Sequence, residues 1–206
     1  MPGYGLIRLD YETLDEEDFM HIAKTLFNYT CLRMLDGIYR LVEIEFYLKS
    51  ELHPDPYVHA NPEQLLSYKY YFHRHSNGTY KSGTYKGMDL TFGDADSETY
   101  FGILIRSIMD TSTGQVIEGP CNVVNHILGI YCADSIADMT DGEAMSIKRN
   151  VWDCILEPTD LFERTDICVG PRIGLSAKYL EYQNRPYRFV LDKNLVKKQK
   201  TRLIKS

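Results

Sequence analysis

The sequence has no paired cysteines, no long apolar run and no secretory leader pattern. Its five cysteines are odd in number, lie far apart and form no CxxC pair, so we expect neither a disulfide framework nor a metal site. No stretch approaches the roughly 18 consecutive apolar residues that a membrane helix requires. The chain begins with an acidic stretch that lacks the charged-then-apolar pattern of a signal peptide. We therefore expect a protein with reduced thiols that lies inside the cell, in the nucleus or the cytoplasm, and does not contact a membrane.

The chain also lacks an overall basic excess, since its formal net charge is −6. This balance argues against broad adhesion to nucleic acid. The distribution is uneven, however, because residues 169–206 carry 10 basic and 2 acidic residues, and residues 61–90 carry 4 and 2. Such asymmetry permits a local anion-binding face on an acidic protein. With 206 residues, of which 44% are hydrophobic and 25% charged, the composition is typical of one globular domain.

The first part of the sequence predicts a helix followed by a β-hairpin. Residues 13–28 have a capping box, formed by Thr13 and Glu16, and an apolar stripe at helical spacing. A strand over residues 29–35 and an Asp-Gly turn then lead to a returning strand over residues 38–48.

The later segments alternate between loops, strands and one further helix. Residues 53–62 contain three prolines and are expected to form a loop, while periodicity leaves residues 63–74 open between a helix and a strand. The remaining expectations are strands over residues 88–93, 99–110 and 185–192, a helix that begins after Gly119, and a basic tail over residues 193–206. No linker divides the chain, so we expect a single α+β domain.

The strand at residues 38–48 carries two carboxylates and a phenol on one face. Alternation sends Glu43, Glu45 and Tyr47 to this face and apolar residues to the other. Because charged residues are mostly exposed, an ordinary solvated face is one interpretation, and a functional site is the other. In either case Arg106, which lies inside an apolar strand, needs a partner, and a carboxylate is expected.

Six stretches of the sequence, taken in order, resemble the 3-methyladenine (alkyladenine) DNA glycosylase family, of which the chain would be a divergent member. They are HIAKTLFNYTCLRMLDGIYRLVEIEFYL, NGTYKSGTYKGM, GILIRSI, GPCNVVNHILGI, PRIGL and RPYRFVL. The resemblance implies a glycosylase-like α+β domain over residues 1–192, followed by the basic C-terminal tail over residues 193–206. The implied domain is compact, with a mostly antiparallel curved sheet flanked by short helices.

The resemblance also implies an activity. Members of this family are DNA glycosylases of base excision repair, which flip an alkylated or deaminated purine out of the duplex and cut its N-glycosidic bond. A carboxylate orients and deprotonates the attacking water while the sugar gains oxocarbenium character. No metal or cofactor is needed. We therefore expect a hydrolase with damaged duplex DNA as its partner, and we expect it to be a monomer.

Five positions match functional residues of the family. Glu45 matches the water-activating glutamate, and Arg106 matches an arginine near the catalytic water. Tyr47 matches an aromatic wall of the base pocket, and His59 matches the histidine that contacts the flipped base. Glu43 matches a supporting glutamate, whose Cα lies roughly 7 Å from that of Glu45 along the strand. Such proximity would raise the pKa of one of the two carboxyls unless a donor such as Arg106 compensates.

Three positions depart from the family's pattern. In ungapped register, the second pocket tyrosine of the family falls on Gly83, the wedge tyrosine on Lys86, and the purine-discriminating asparagine on Gly93. Lys86 and its neighbour Tyr85 are therefore the substrate-binding candidates in this stretch. Other aromatic side chains could replace the missing tyrosines from shifted positions, namely Tyr70, Tyr71, Tyr80 and Phe92.

Two other functions remain open from the sequence. The same chemistry could act on a different nucleobase or on a nucleoside, which the missing wedge and the acidic charge favour. Alternatively, the chain could be a non-catalytic nucleic-acid-binding or interaction module on the same fold, because fold does not imply function. Three further histidines, His53, His73 and His75, are expected at the surface.

Overall fold

The computed structural model describes residues 7, 9–140 and 144–205 of the chain. Within these ranges, eleven strands form one sheet in which every pairing is antiparallel, and four α-helices accompany it. The strands are β1 (Thr30–Met34), β2 (Gly37–Lys49), β3 (Ser67–Phe72), β4 (Met88–Phe92), β5 (Tyr100–Asp110), β6 (Val116–Glu118), β7 (Met145–Ser146), β8 (Ile155–Pro158), β9 (Cys168–Gly170), β10 (Arg188–Val190) and β11 (Ile204–Lys205). The predicted compact α+β unit with a mostly antiparallel sheet is confirmed.

The four helices are short. They are α1 (Glu17–Tyr29), α2 (Pro120–Ile130), α3 (Ile136–Thr140) and α4 (Leu180–Asn184). In the described part of the chain, none of them has the length and apolar character needed to cross a membrane. The five cysteines all lie within the described ranges and are unpaired, and three of them are buried.

The helix predicted at residues 13–28 begins later than expected. It starts at Glu17, and Glu16 makes no capping bond with its side chain, so the predicted capping box is wrong. The carboxylate of Asp15 instead accepts the N–H of Glu17 at 2.7 Å, while Asp18 accepts the N–H of Asp15 at 3.2 Å. The capping bonds therefore involve Asp15 and Asp18, which lie two residues after the predicted pair, Thr13 and Glu16. The aspartate side chains accept from backbone N–H groups at the start of the helix.

The segment that periodicity left open resolves into a short turn of helix and a strand. A 3-10 helix covers Pro62–Leu65, and β3 follows at Ser67–Phe72. Asn61 caps the short helix: its side chain accepts the N–H of Glu63, and the Gln64 side chain accepts the N–H of Asn61. These bonds fix the orientation of the Gln64 amide.

The sheet has its longest strands at its centre, where β2 and β5 pair with each other. Helix α1 covers one face, and its Phe19 ring stacks on Phe46 of β2 with ring centroids 4.5 Å apart. Ile44 and Phe46 of β2 are thereby buried in the main core, as alternation predicts. Val42, which alternation places on the same face, packs instead in a second cluster with Val196 and Leu203, because the β2–β5 ladder is irregular there. The opposite side of β2 carries the polar residues discussed below.

Residues 193–205 pack on the sheet. Two 3-10 turns, Lys193–Leu195 and Lys200–Arg202, lead into β11, which pairs with β9. Val196 and Leu203 are buried in a small apolar cluster, while the lysines of the segment are exposed. The basic segment thus forms part of the wall on the polar side of β2.

Candidate functional site

Both glutamates of β2 are buried, so the interpretation as an ordinary solvated face is wrong for them. Glu43 is 1% exposed and Glu45 is 0% exposed. The two strands that flank β2 cover them: β5 contributes Arg106, and β10 contributes Arg188. The β2–β5 ladder is irregular between Leu41 and Ile44, next to Glu43.

Glu43 lies at the centre of a compact group of charges, which we call the Glu43 cluster (Glu43, Arg106, Arg188 and Ser107). Its Oε1 accepts from Nε of Arg188 at 2.7 Å and from Nε of Arg106 at 3.1 Å. Its Oε2 accepts from the Ser107 hydroxyl at 2.7 Å. Every member is at least nine-tenths buried. Two guanidinium groups and a hydroxyl therefore satisfy this carboxylate.

Glu45 has weaker compensation. Its Oε1 accepts the backbone N–H of Ile173 at 2.7 Å, and its Oε2 accepts from the Tyr47 hydroxyl at 2.9 Å and from Nη1 of Arg106 at a longer 3.3 Å. Burial raises the pKa of Glu45, and the charge of Glu43 adds to this, although Arg106 and the Ile173 N–H oppose it. The Glu45 carboxyl thus has a raised proton affinity.

Arg106 bridges the two glutamates and confirms the expectation that it pairs with carboxylates. Burial is the largest influence on its pKa and lowers it, but the charges of Glu45 and Glu43 outweigh burial and keep the pKa above its usual value. Arg106 therefore remains a cation in this site.

A cavity of about 90 Å³ lies next to this strand. Its lining residues are Tyr47, Tyr57, His59, Gln64, His73, Asp89 and Leu175. Glu45 does not line it, because Tyr47 stands between the Glu45 carboxylate and the cavity. The cavity is small beside the roughly 300–1,000 Å³ of typical ligand pockets. A ligand larger than a few atoms would require the wall to open.

A larger groove of about 910 Å³ lies elsewhere on the surface and contains none of the predicted site residues. It carries four acidic side chains and one lysine, namely Glu12, Glu51, Asp96, Glu98 and Lys49. Such a charge would repel a polyanion. We therefore place the candidate site at the smaller cavity.

One wall of the cavity is a second polar group, the Asp89 cluster (Asp89, His73 and Gln64). Asp89 on β4 is 2% exposed. Its Oδ1 lies 2.8 Å from Nε2 of His73, and its Oδ2 accepts from Nε2 of Gln64 at 3.3 Å. Asp89 and Glu45 are both paired with Leu104 of β5, so the two carboxylates lie on the same face of the sheet.

Two glycines, which have no side chain, provide the space that the side chains of the Asp89 cluster occupy. A Cβ at Gly102 would lie 2.6 Å from Oδ2 of Asp89 and 2.9 Å from Nε2 of Gln64. A Cβ at Gly87 would lie 2.6 Å from Nδ1 and Cε1 of the His73 ring. Neither approach is compatible with a side chain on the glycine.

His59 lines the cavity. Its Nδ1 lies 3.1 Å from the Tyr71 hydroxyl, and its ring stands edge-on to His73 with centroids 4.6 Å apart. Although the residue as a whole is exposed, desolvation of the ring and the charge of His73 lower its pKa to about 4. His59 is therefore neutral at physiological pH. In the described part of the chain, no group of three His, Cys, Asp or Glu residues is arranged to hold a metal.

A buried ion pair between Arg172 and Asp55 lies next to Tyr47 at the site, and the sequence did not suggest it. Arg172 bonds both oxygens of Asp55, at 2.5 and 3.1 Å, and also donates to the carbonyl of Phe46 at 3.0 Å. Its guanidinium lies 4.5 Å from the centre of the Tyr47 ring. Because Arg172 precedes Ile173, this pair also positions the N–H that binds Glu45. Arg172 stands in the quoted stretch PRIGL and Asp55 in the proline-containing loop over residues 53–62, but only their spatial contact reveals the role.

Two of the three histidines expected at the surface are partly or fully covered. His53 is 4% exposed, because its ring packs against those of Phe19, Tyr182 and Tyr187. His73 is only half-buried but faces the cavity. His75 is exposed, as expected.

The remaining substrate-binding candidates lie outside the cavity. Tyr85 is 74% exposed on the 3-10 turn Gly83–Tyr85, and Nζ of Lys86 donates to Asn125 on α2 at 2.8 Å. Gly93 cannot be replaced by a larger residue, since a Cβ there would lie 1.9 Å from the Gln64 carbonyl oxygen. Tyr85, Lys86 and Gly93, which lie at or beside the positions that depart from the family's pattern, therefore do not line the cavity.

Comparison with known proteins gives one relative and no family model that matches. The relative is a protein of Acanthamoeba polyphaga mimivirus named "Uncharacterized protein L759". It is 48% identical over 205 residues, and the match covers 94% of this chain and 95% of the viral protein. The similarity thus extends over nearly the full length of both proteins.

Proposed function

We propose that this chain, which belongs to the family of the mimivirus protein L759, is a DNA glycosylase that excises an alkylated or deaminated purine. The observation that carries the proposal is Glu45, a fully buried carboxyl with a raised pKa that lies behind the wall of a polar cavity. The resemblance of the sequence to the 3-methyladenine DNA glycosylases supports the choice of reaction. The reaction would be the first step of base excision repair.

In this proposal, Glu45 activates the attacking water. A general base works best when its pKa approaches the working pH, and burial moves the pKa of Glu45 in that direction. Arg106 and the N–H of Ile173 keep the carboxylate in place. The Tyr47 hydroxyl now occupies the side of Glu45 that faces the cavity, so substrate entry must displace it and let water take its place.

The cavity walls suit a planar base. The rings of Tyr47 and Tyr57 offer aromatic surface, and the Arg172 guanidinium lies 4.5 Å from the centre of the Tyr47 ring. Neutral His59 and the Asp89 carboxylate supply hydrogen-bonding groups at the edge. Flipped bases are recognised by this combination of stacking and edge contacts.

The test is release of free base from duplexes that contain one alkylated or deaminated purine. We expect Glu45→Gln to lower the single-turnover rate by about 10²- to 10⁴-fold, because the loss of a general base has that cost. Glu157→Gln is the matched control, since Glu157 lies outside the site and pairs with Arg33. Failure of the folded wild-type protein to release any base would reject the proposal and favour a non-catalytic module.

A second candidate function has the same chemistry on a different nucleobase or on a free nucleoside. The absence of a wedge at Lys86, whose side chain bonds Asn125, favours it. Exposed Tyr85 is the side chain that could act as a wedge in the duplex reaction. If the first function holds, Tyr85→Ala should slow base release from duplexes, where a wedge is used. Base release from nucleosides uses no wedge, so the same change should not slow it.

The affinity for undamaged duplex separates the two candidates further. A protein that grips phosphates loses affinity steeply with salt, in proportion to the number of contacts. The exposed lysines of residues 193–205 are the cations that would make them. A protein that has no measurable affinity at low salt but cleaves nucleosides would be assigned to the second function.

A further inference from the structure

We propose that the Asp89 cluster supplies the acid of this reaction, with His73 as the catalytic residue that protonates the leaving base and Asp89 as the residue that positions it. The inference rests on the proposed function. It adds protonation of the leaving base to the deprotonation of water by Glu45. Neither residue was a site candidate from the sequence, which placed His73 at the surface.

The hydrogen bonds of the cluster fix the direction of its protons. The Asn61 N–H donates to Oε1 of Gln64, so the amide of Gln64 must turn its Nε2 donor towards Asp89. Asp89 therefore receives one donor on each oxygen. Nε2 of His73 must carry a proton to be the donor at 2.8 Å.

With Nε2 committed to Asp89, Nδ1 is the nitrogen of His73 that remains for exchange with a ligand. His73 lines the cavity, and the glycine at position 87 lets the backbone pack closely against the ring, because a Cβ there would lie 2.6 Å from Nδ1. A carboxylate behind an imidazole stabilises the imidazolium and holds its orientation, as in other acid–base pairs of enzymes. In the described part of the chain, no arginine or lysine pairs with Asp89, so its charge is free to support His73.

The cluster lies opposite Glu45 across the cavity wall. Asp89 and Glu45 share Leu104 as their partner on β5, so their Cα atoms are two strands apart, or roughly 10 Å. Inverting glycoside hydrolases separate their acid and base carboxyls by about 6.5–9.5 Å, which leaves room for water and sugar between them. Glu45 lies behind the Tyr47 wall and His73 lines the cavity itself, so a substrate held there with Tyr47 displaced would have the base and the acid on different sides.

The proton balance is complete. The bond between the sugar C1′ and the base nitrogen breaks, its electron pair goes to the base, and the base takes the Nδ1 proton of the His73 imidazolium. Water adds to C1′, and its proton passes to Glu45. The products are free base and a sugar hydroxyl, and exchange with solvent returns the proton to His73 and removes it from Glu45.

The charge of the leaving base provides the test. A 7-methylguanine base is cationic and leaves without a proton, whereas hypoxanthine is neutral and gains from an acid. We expect His73→Gln to lower the single-turnover rate on hypoxanthine duplexes by a factor about 10²-fold larger than its effect on 7-methylguanine duplexes. Asp89→Asn should show a selective loss in the same direction. A merely structural role would lower both rates together.

His73→Gln is the deciding variant, because the new amide can still donate to Asp89 and does not leave a buried charge unpaired. His75→Gln, on the exposed histidine two residues further on, is the matched control and should change neither rate. Equal loss on both substrates, or no loss on hypoxanthine, would overturn the assignment of His73 while Glu45 keeps its role. Absence of release from both substrates by the folded wild-type protein would overturn this inference together with the proposed function.

Discussion

The Glu43 cluster and the Asp89 cluster both bury a carboxylate almost completely, but they do so in opposite ways. Glu43 is bound by two guanidinium groups and a hydroxyl, and it does not line the candidate cavity. Asp89 is bound by a neutral amide and an imidazole, and it faces open space. Burial alone therefore does not define a reactive carboxylate. The difference lies in whether the partners can change protonation and whether a ligand can approach.

Glu45 lies between these two environments. One of its bonds reaches Arg106 of the Glu43 cluster, and another comes from Tyr47 at the cavity wall. Its environment is polar enough to hold a charge but not charged enough to remove the effect of burial on its pKa. We interpret the Glu43 cluster as a structural support, and Glu45 and Asp89 as the carboxyls that take part in the proposed reaction.

The largest effect should come from Arg188→Met, which breaks the charge balance of the Glu43 cluster. This change leaves a buried carboxylate with one guanidinium fewer, and such a loss typically costs about 3–5 kcal/mol of unfolding free energy. Urea unfolding measures it. Arg202→Met is the control, because Arg202 is exposed and its replacement should stay within about 0.5 kcal/mol. Equal values for the two variants would show that the Glu43 cluster does not support the fold.

Gly102→Ala should have an intermediate effect, directed at the Asp89 cluster. The new methyl group would overlap the Asp89 carboxylate and the Gln64 amide, and overpacking of this kind costs about 1–3 kcal/mol. Base release should fall as well, because Asp89 must move. Gly129→Ala on α2 is the control: no atom lies within 4 Å of its new Cβ, so the variant should be as stable as the wild type or gain up to about 1 kcal/mol. Full activity of Gly102→Ala would argue against a role for Asp89.

The smallest effect concerns how the unfolding free energy depends on pH. Comparison of the wild type with Glu45→Gln isolates the contribution of Glu45. The pKa of Glu45 is higher in the folded protein than in the unfolded chain, so the unfolded chain releases this proton first. The contribution of Glu45 is thus fully present below its unfolded pKa and is lost as pH rises through its folded pKa. We expect the unfolding free energy of the wild type to fall relative to that of the variant as pH rises above about 4.3. Parallel pH profiles from urea unfolding would contradict the raised pKa.

The sequence predicted the strand that carries Glu43 and Glu45 and the pairing of these residues with Arg106, because alternation and a charge inside an apolar strand are local signals. It did not predict that β10 would bring Arg188 to the same carboxylate. That contact joins residues 145 positions apart, and only the strand order of the sheet brings them together.

The Asp89 cluster escaped prediction for a related reason. Its three members come from a capped turn, the end of β3 and strand β4, and none of them stands in a spacing that indicates a site. The clearest signal was indirect: glycines at 87 and 102, within or beside strands, indicate a close approach by another group. Sequence alone cannot tell which group approaches, so His73 and Gln64 could not be named.

The bond between Arg188 and Glu43 also bears on how the chain folds as it is made. Strand β2 emerges from the ribosome about 140 residues before its partner β10, and until then it lacks both the neighbour and the cation that its buried glutamate needs. Nascent chain that ends before Arg188 would therefore hold β2 and β5 with an unbalanced charge between them. We expect the central sheet to close late and slowly, since contacts so distant along the chain delay folding. The proposed acid–base site would then form only after nearly all of the described chain has been synthesised.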